Sequence, residues 1–515
     1  MFILSEDTQR TQGSDAQSSN ISAGKAVAEA VRTTLGPRGM DKMLVDSTGD
    51  VVITNDGATI LTEMDIEHPA AQMLVEVAET QEDAVGDGTT TAAVLAGHLL
   101  ARAEDMLEND VHPTTIVEGY HEAAAIALDA IDDAVLDVAV DDETLGQVAE
   151  SSMTGKGTGG LTADQLAQTV VSAIRHVETE AGVVNRDDVR IFTKVGASSN
   201  ATELVEGIVI DEEPVHDEMP RHVTDADILV LDMELDVRTA DVSAEYRIDS
   251  VEQLTAAMDA EEEELRGYAK TLADADVDVV FATDDIDGRV AAMLADEGIL
   301  AFDGLSDSDA RAIATATGAR RAGALDDLED DDFGFAEHVD VRRVGDEELT
   351  FVEGGAAAEA VTVFVRGGTE HVVDELERAL EDALDVVTVA VESGEVVPGA
   401  GATEIAIADA VRDAASGIEG RKQLAVEAFA DAVDVIPRTL AENTGMDPID
   451  VLVSLRSRYE DGETVGVISE GETGTVDDPL TYGVVDPADV KREAVESATE
   501  AATMILRIDD IIAAD

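Results

Sequence analysis

Residues Gly86–Thr91 read GDGTTT: two glycines around Asp87, then three threonines that open the helical pattern AAVLAGHLL. The first turn of a helix presents free backbone amides, and hydroxyls beside them add further donors, so this segment could form an anion site. A carboxylate among those donors can hold Mg²⁺ against phosphate oxygens. It is not a P-loop, because no Gly-Lys-Ser/Thr follows the glycines. The same residues also fit an ordinary turn at Gly86 and Gly88 with Thr89–Thr91 capping the helix.

Other candidates are weaker when taken singly. TLGPRG (Thr34–Gly39) is a helix stop, and TNDG (Thr54–Gly57) is a strand-to-helix turn. Lys156 stands out in the loop SSMTGKG because the chain has only seven lysines, yet a loop lysine is usually solvated. Asp382, in LERALEDALDVVTVAV, reads locally as one solvated carboxylate among many. VVPGAGATE joins a Gly-rich turn to a helix, where a backbone can approach a ligand closely. Asp486-Pro487 looks like an N-cap followed by Pro at the first helical position. The nine histidines form no metal-spaced pair.

These residues need elements to hold them. SAGKAVAEAVRTTLGP predicts a helix capped at Ser22 and stopped at Gly36-Pro37. KMLVDSTGDVVITNDG predicts a hairpin with strands around Leu44 and Val52 and a turn at Ser47–Asp50. Helical patterns run from Ala58 to about Asp137, broken at Gly86–Thr91, and SSMTGKGTGG (Ser151–Gly160) reads as a loop. In the middle third, strand-like ILVLDMEL (Ile228–Leu235) and VDVVFAT (Val277–Thr283) alternate with helical Ser250–Ala273 and Arg289–Glu297. An acidic stretch, Asp326–Asp332, and strands around Val339–Glu353 close this region; from Glu370 the pattern is helical again, punctuated by the turn Val396–Gly401. The order helical, α/β, helical predicts a discontinuous helical domain carrying an α/β insertion.

Composition bounds the setting. The 515 residues carry 114 Asp plus Glu against 33 Lys plus Arg, a net charge of -81, with 3% aromatics, no Trp and no Cys. Such a surface repels phosphate backbones, which argues against a nucleic-acid binder. Molar salt shortens the Debye length to about 3 Å and removes most of the self-repulsion, so the composition predicts a halophile's protein. Zero cysteines exclude disulfides, Cys-ligated zinc and thiol catalysis. MFILSEDTQR lacks the basic start and long apolar core of a signal peptide, and no apolar run reaches the roughly 18 residues of a membrane helix, so a cytoplasmic, soluble protein with no membrane partner is expected.

Taken together and in order, TLGPRGMDKMLVD, GDVVITNDGATIL, EHPAAQML, VGDGTTTAAVLAG, SSMTGKG, ELVEGIVID, RGGTEHVVDELERALEDAL, VVPGAGATEIA and ILRIDDII resemble the group II chaperonins, the archaeal thermosomes and their eukaryotic cytosolic relatives. The matches span about Ile21 to Ile512. The resemblance implies a multidomain α and α/β chaperonin architecture. A helical equatorial domain would take residues 1–142 and 397–515, an intermediate domain 143–208 and 363–396, and an apical α/β domain 209–362, with a helical lid within about 240–272. It implies ATP-dependent protein folding in a stacked double ring, eight or nine self or paralogous subunits to a ring, with non-native polypeptides as partners. ATP and Mg²⁺ would be cofactors, and K⁺ an activating or solvent ion.

Carried onto this chain, the resemblance sets Leu35, Gly36 and Pro37 beside the nucleotide phosphates. Asp87 would hold Mg²⁺, and Gly88, Thr89, Thr90 and Thr91 would cradle phosphate oxygens. Asp56 and Asp382 match the acidic pair near the attacking water, and Lys156 the lysine that senses the γ-phosphate. Gly399 and Gly401 would pack on the nucleoside, and Asp486 would bond the ribose. Two departures stand out: Ala400 replaces a usual third Gly, so that a methyl is expected to face the nucleoside with a modest effect, and the chain ends IDDIIAAD without a Gly/Met-rich tail. They keep open an alternative in which the chain binds nucleotide but hydrolyses it weakly, as a structural or substrate-binding subunit of a mixed ring.

Overall fold

The structure is a computed structural model that describes residues 9–45, 49, 51–156, 160–179, 181–237, 251–326, 328–345, 347–355, 360–471 and 473–513. The chain starts with β1 (Gln9–Gln12), α1 (Ser14–Arg32) and the antiparallel hairpin β2 (Lys42–Val45) and β3 (Val51–Thr54). Helices α2 (Gly57–Glu63), α3 (Pro69–Val85), α4 (Thr89–Glu108), α5 (Pro113–Ala134), α6 (Asp142–Met153) and α7 (Ala163–Val177) follow. The middle holds β4 (Val189–Val195), β5 (Glu203–Val205), β6 (Gly207–Ile210), β7 (His222–Leu231), α8 (Val251–Asp274), β8 (Val279–Ala282) and α9 (Gly288–Glu297). It continues with β9 (Leu300–Phe302), α10 (Asp307–Thr317), β10 (Arg321–Ala322), β11 (Phe333–Val344), β12 (Glu347–Gly355) and β13 (Val361–Gly367). The last run is α11 (Glu370–Ser393), β14 (Val396–Pro398), α12 (Ala402–Ala415), α13 (Lys422–Val433), α14 (Val435–Asn443) and α15 (Pro448–Glu460). It ends with β15 (Gly466–Glu470), β16 (Thr473–Asp477), β17 (Val485–Pro487), α16 (Ala488–Leu506) and β18 (Asp510–Ala513).

Two compact units result, one from residues 1–171 and 374–515, the other from residues 172–373. The first is built around α4. Its first half, Ala92–Gly97, is apolar all round and rich in the strong helix formers Ala and Leu, and such a stretch must be enclosed. Ala92 through Gly97 are buried without a break, and α1, α3, α5, α13 and α16 pack against the helix. A β-carbon at Gly97 would overlap that of Ala28, so the glycine lets α1 approach α4 closely. The Tyr120 hydroxyl, buried in α5, donates to the Leu99 carbonyl at 2.7 Å, which meets the need of a polar group in this core.

In the second unit the strands order β6-β12-β11-β7-β8-β9, with β10 also on β7. β7, β8 and β9 are parallel, and their segments ILVL, VVFA and LAF are wholly buried, as parallel strands covered on both faces require. β11 and β12 form an antiparallel pair, and β4-β13-β5 make a separate three-stranded sheet.

Several local expectations shift. The first helix starts at Ser14 behind Gly13, eight residues before Ser22, because Ala16 and Asn20 are already packed. The hairpin turn expected at Ser47–Asp50 lies, apart from Gly49, outside the described residues. The helical stretch after Ala58 is also interrupted at residues 64–68 and 109–112, where His68 and His112 cap α3 and α5. Ser151–Met153 belong to α6 rather than to a loop. The strand within ILVLDMEL ends at Leu231. Val396–Pro398, read as a turn, is a strand paired with β17.

Candidate functional site: a cavity at two helix N-termini

A cavity of about 400 Å³ opens in the first unit. Two helices begin at its wall, α4 behind Gly88 and α12 behind Gly401, both glycines in the left-handed region and neither helix capped by a side chain. Gly88 at φ +84° meets a demand that an L-residue would fill only under strain. A β-carbon there would come within 2.9 Å of Gln81 Nε2 and 3.0 Å of Val490. The first amides of α4 are therefore left for a ligand, with the hydroxyls of Thr89, Thr90 and Thr91 beside them. Uncapped amides, a tight glycine cradle and an acidic group in one wall suit a phosphate-bearing ligand with its divalent cation.

Asp87 is that acidic group. Its Oδ1 accepts from the Gly88 amide at 2.6 Å, and burial pushes its carboxyl above the ordinary range against the pull of Lys156. Gln81, fully buried in α3, donates from Nε2 to the Asp87 carbonyl at 2.7 Å and so ties the loop to its own helix. Asp56 is the N-cap of α2; its Oδ2 accepts from the Thr59 amide at 2.6 Å. Glu82, half-buried nearby, is pushed up to about 8 by burial and by the charges of Asp56 and Asp87.

The cavity brings together Leu35, Gly36, Pro37, Asp56, Asp87, Gly88, Thr89, Thr90, Thr91, Lys156, Gly401 and Asp486. Asp382 is not in its lining but is joined to it through an ion pair with Lys156. It is 6% exposed, so the local reading as a solvated carboxylate fails: α11 turns this position into the unit's interior. Lys156 is likewise held, not a free loop lysine, and Asn55 Nδ2 donates to the Gly155 carbonyl at 2.6 Å to fix the preceding residue. Gly399 lies under Asp486, where a β-carbon would sit 3.1 Å and 3.3 Å from its carboxylate oxygens.

Asp486 is not an N-cap. It sits in β17, paired with Val397; Pro487 is the capping residue, and the Asp486 carboxylate turns to Lys491 instead. Ala400 adopts φ +56°, and its methyl packs on Gly466 of β15, so the extra carbon meets the protein as well as bordering the cavity. Sequence reasoning missed Gln81, Glu404 and Lys491. Only the scarcity of lysine could have pointed to the last, and a buried polar position in an apolar stripe to the first.

This fold and site define a class, and comparison with known proteins agrees with it. The chain belongs to the TCP-1/cpn60 chaperonin family, which it matches over residues 27–515. It is 69% identical to thermosome subunit 3 of Haloferax volcanii across all of this chain and 98% of that protein. It is 52% identical to the thermosome subunit of Methanopyrus kandleri and 51% identical to thermosome subunit alpha of Halobacterium salinarum, covering 95% and 91% of those proteins. As a group II chaperonin it is an ATPase that uses ATP and Mg²⁺ to drive protein folding, in an oligomeric ring assembly that binds substrate polypeptide.

Proposed function

We propose that the 400 Å³ cavity is the ATP site of this chaperonin and that the Lys156–Asp382 pair couples nucleotide to hydrolysis. The uncapped start of α4 carries the proposal, because it lies at the cavity wall with Thr89, Thr90 and Thr91 in the lining beside Asp87. Gly88, Thr89, Thr90 and Thr91 hold phosphate oxygens, while Leu35, Gly36 and Pro37 border them. Asp87 holds Mg²⁺, which when bound supplies positive charge against the phosphates. Asp56 and Asp382 orient the attacking water and accept its proton, and Lys156 answers to the terminal phosphate. Gly399 and Gly401 admit the nucleoside, and Asp486 accepts from the ribose.

The wider architecture follows the same reading. Residues 1–142 and 397–515 serve as the equatorial domain, 143–208 and 363–396 as the intermediate domain, and 209–362 as the apical domain. The lid is assigned to about 240–272, of which 240–250 lie outside the described residues. The subunits stack in a double ring of eight or nine to a ring in the cytoplasm, with K⁺ as an activating or solvent ion. Haloferax volcanii has thermosome subunits numbered 1, 2 and 3, which supports rings of mixed composition here too. No helix among the described residues is long and apolar enough to cross a membrane.

The test is ATP turnover and binding by assembled particles in molar KCl, wild type beside Asp382→Ala. Turnover in wild type with binding alone in the variant upholds the reading. Binding without turnover in wild type would instead make this a nucleotide-responsive subunit whose partners hydrolyse.

A further inference from the structure

One buried cation borders the cavity without a part in the scheme above. Lys491, in the first turn of α16, lines the cavity and places Nζ 2.8 Å from Asp486 Oδ2 and 2.9 Å from Glu404 Oε1. The three side chains are 13%, 24% and 6% exposed. An ammonium near a helix N-terminus is on the wrong side of the macrodipole, and its desolvation is costly. Burial would lower its proton affinity, but the two carboxylates outweigh burial and hold Lys491 above the ordinary lysine range. The lysine therefore stays charged, in a chain that has seven lysines in 515 residues.

Each carboxylate is engaged differently. Glu404, at the third position of α12, has its Oε2 buried with no hydrogen-bond partner among the described residues, so Lys491 holds it by Oε1. Glu404 is thus an anchor for the ammonium and does not line the cavity. Asp486 does line it. Its backbone is fixed opposite Val397 by the β14–β17 pair, and Lys491 takes Oδ2, leaving Oδ1 as the acceptor available to a ligand. The ammonium also offsets the charge of Asp486, one of three carboxylates, with Asp56 and Asp87, in the wall of a cavity that takes a polyanion.

We propose that Lys491 is a positioning residue for sugar selection: anchored on Glu404, it fixes the Asp486 carboxylate so that a ribose hydroxyl, and not a deoxyribose carbon, completes the site. This rests on reading Asp486 as the ribose partner. A site built to bond a hydroxyl penalises the analogue that lacks it, because the acceptor is left unpaired.

The experiment measures equilibrium binding of ATP, 2′-deoxy-ATP and 3′-deoxy-ATP to assembled full-length particles in molar KCl, with KM and kcat alongside. Wild type should prefer ATP over at least one deoxy analogue by about tenfold or more, and Asp486→Ala should lose that preference. Lys491→Met should lose it too, by weakening ATP about tenfold with little change for the deoxy analogue, and should raise KM with kcat within about threefold. If Lys491→Met does not assemble, the Glu404→Gln/Lys491→Met double variant removes the buried charge pair and is read in the same way. A preference kept in either lysine variant but lost in Asp486→Ala overturns the role of Lys491, as does an equal loss for all three nucleotides. A preference kept in Asp486→Ala overturns the ribose reading itself, and the role of Lys491 with it.

Discussion

Lys156 and Asp382, 226 residues apart in the chain, form an ion pair whose side chains are 16% and 9% exposed. The cation proposed to read the terminal phosphate and the carboxylate proposed to act on water hold one another. An anion that draws Lys156 away frees Asp382 to accept a hydrogen bond. Sensing and activation would then be a single exchange of partners, which gives the chain a reason to place a lysine here.

Asp382→Ala should lower kcat by about 10²–10⁴ while ATP affinity changes only a few-fold, since removing a general base spares ground-state binding. Steady-state turnover and calorimetric binding on the same particles check this. A variant that turns over within threefold of wild type removes Asp382 from the chemistry.

Ala400 and Gly466 make a second matched pair. Ala400→Gly relieves an L-residue at φ +56° and should stabilise the unit by about 1 kcal/mol, with ATP affinity nearly unchanged. Gly466→Ala would bring a β-carbon to 2.8 Å and 2.9 Å from the Ala400 carbonyl oxygen and methyl, and should cost about 1–3 kcal/mol. Thermal unfolding of both variants, and recovery in the double variant, measures the pairing; additive effects would show that the two positions are independent.

Glu82 gives a pH dependence with a definite sign. Its carboxyl is raised from 4.5 to about 8, so between these values the folded chain keeps a proton that the unfolded chain has lost. The stability it contributes is complete below pH 4.5 and declines as pH rises toward 8. Glu82→Gln should match wild type near the lower limit and exceed it in Tm near the upper one. Parallel Tm profiles for the two proteins would show that Glu82 does not titrate this way.

Salt should stabilise the particle. With a net charge of -81, raising KCl into the molar range shortens the Debye length to about 3 Å, and Tm should climb with KCl before levelling off. A Tm independent of KCl between dilute and molar salt would show that charge repulsion is not what limits stability.

What the sequence disclosed follows from the range of the interactions involved. The α4 start was legible because Gly88 and the threonines act within one turn. The true start of the first helix is not legible because SDAQSSNIS has little apolar pattern of its own; packing of Ala16 and Asn20 decides it. Asp486 reads locally as a cap because the β14–β17 pair joins residues about ninety apart, which no local window contains. Locally, Lys156 and Asp382 each looked solvated, and only resemblance to a family gave them roles. Lys491 and Glu404 carried neither kind of signal.

The arrangement of α4 and α16 also has a consequence for how the protein is made. α4 is the hub of the first unit, yet one wall around it is α16, the last of the described helices, and β18 beyond it pairs with β1. During synthesis the inserted unit, residues 172–373, has all its strands in hand while that hub still lacks a wall. The cavity, which needs Asp486 and Lys491, is completed only after α16 has been synthesised. A nascent chain of this folding machine therefore spends most of its translation with an apolar helix incompletely covered, itself a client for protection.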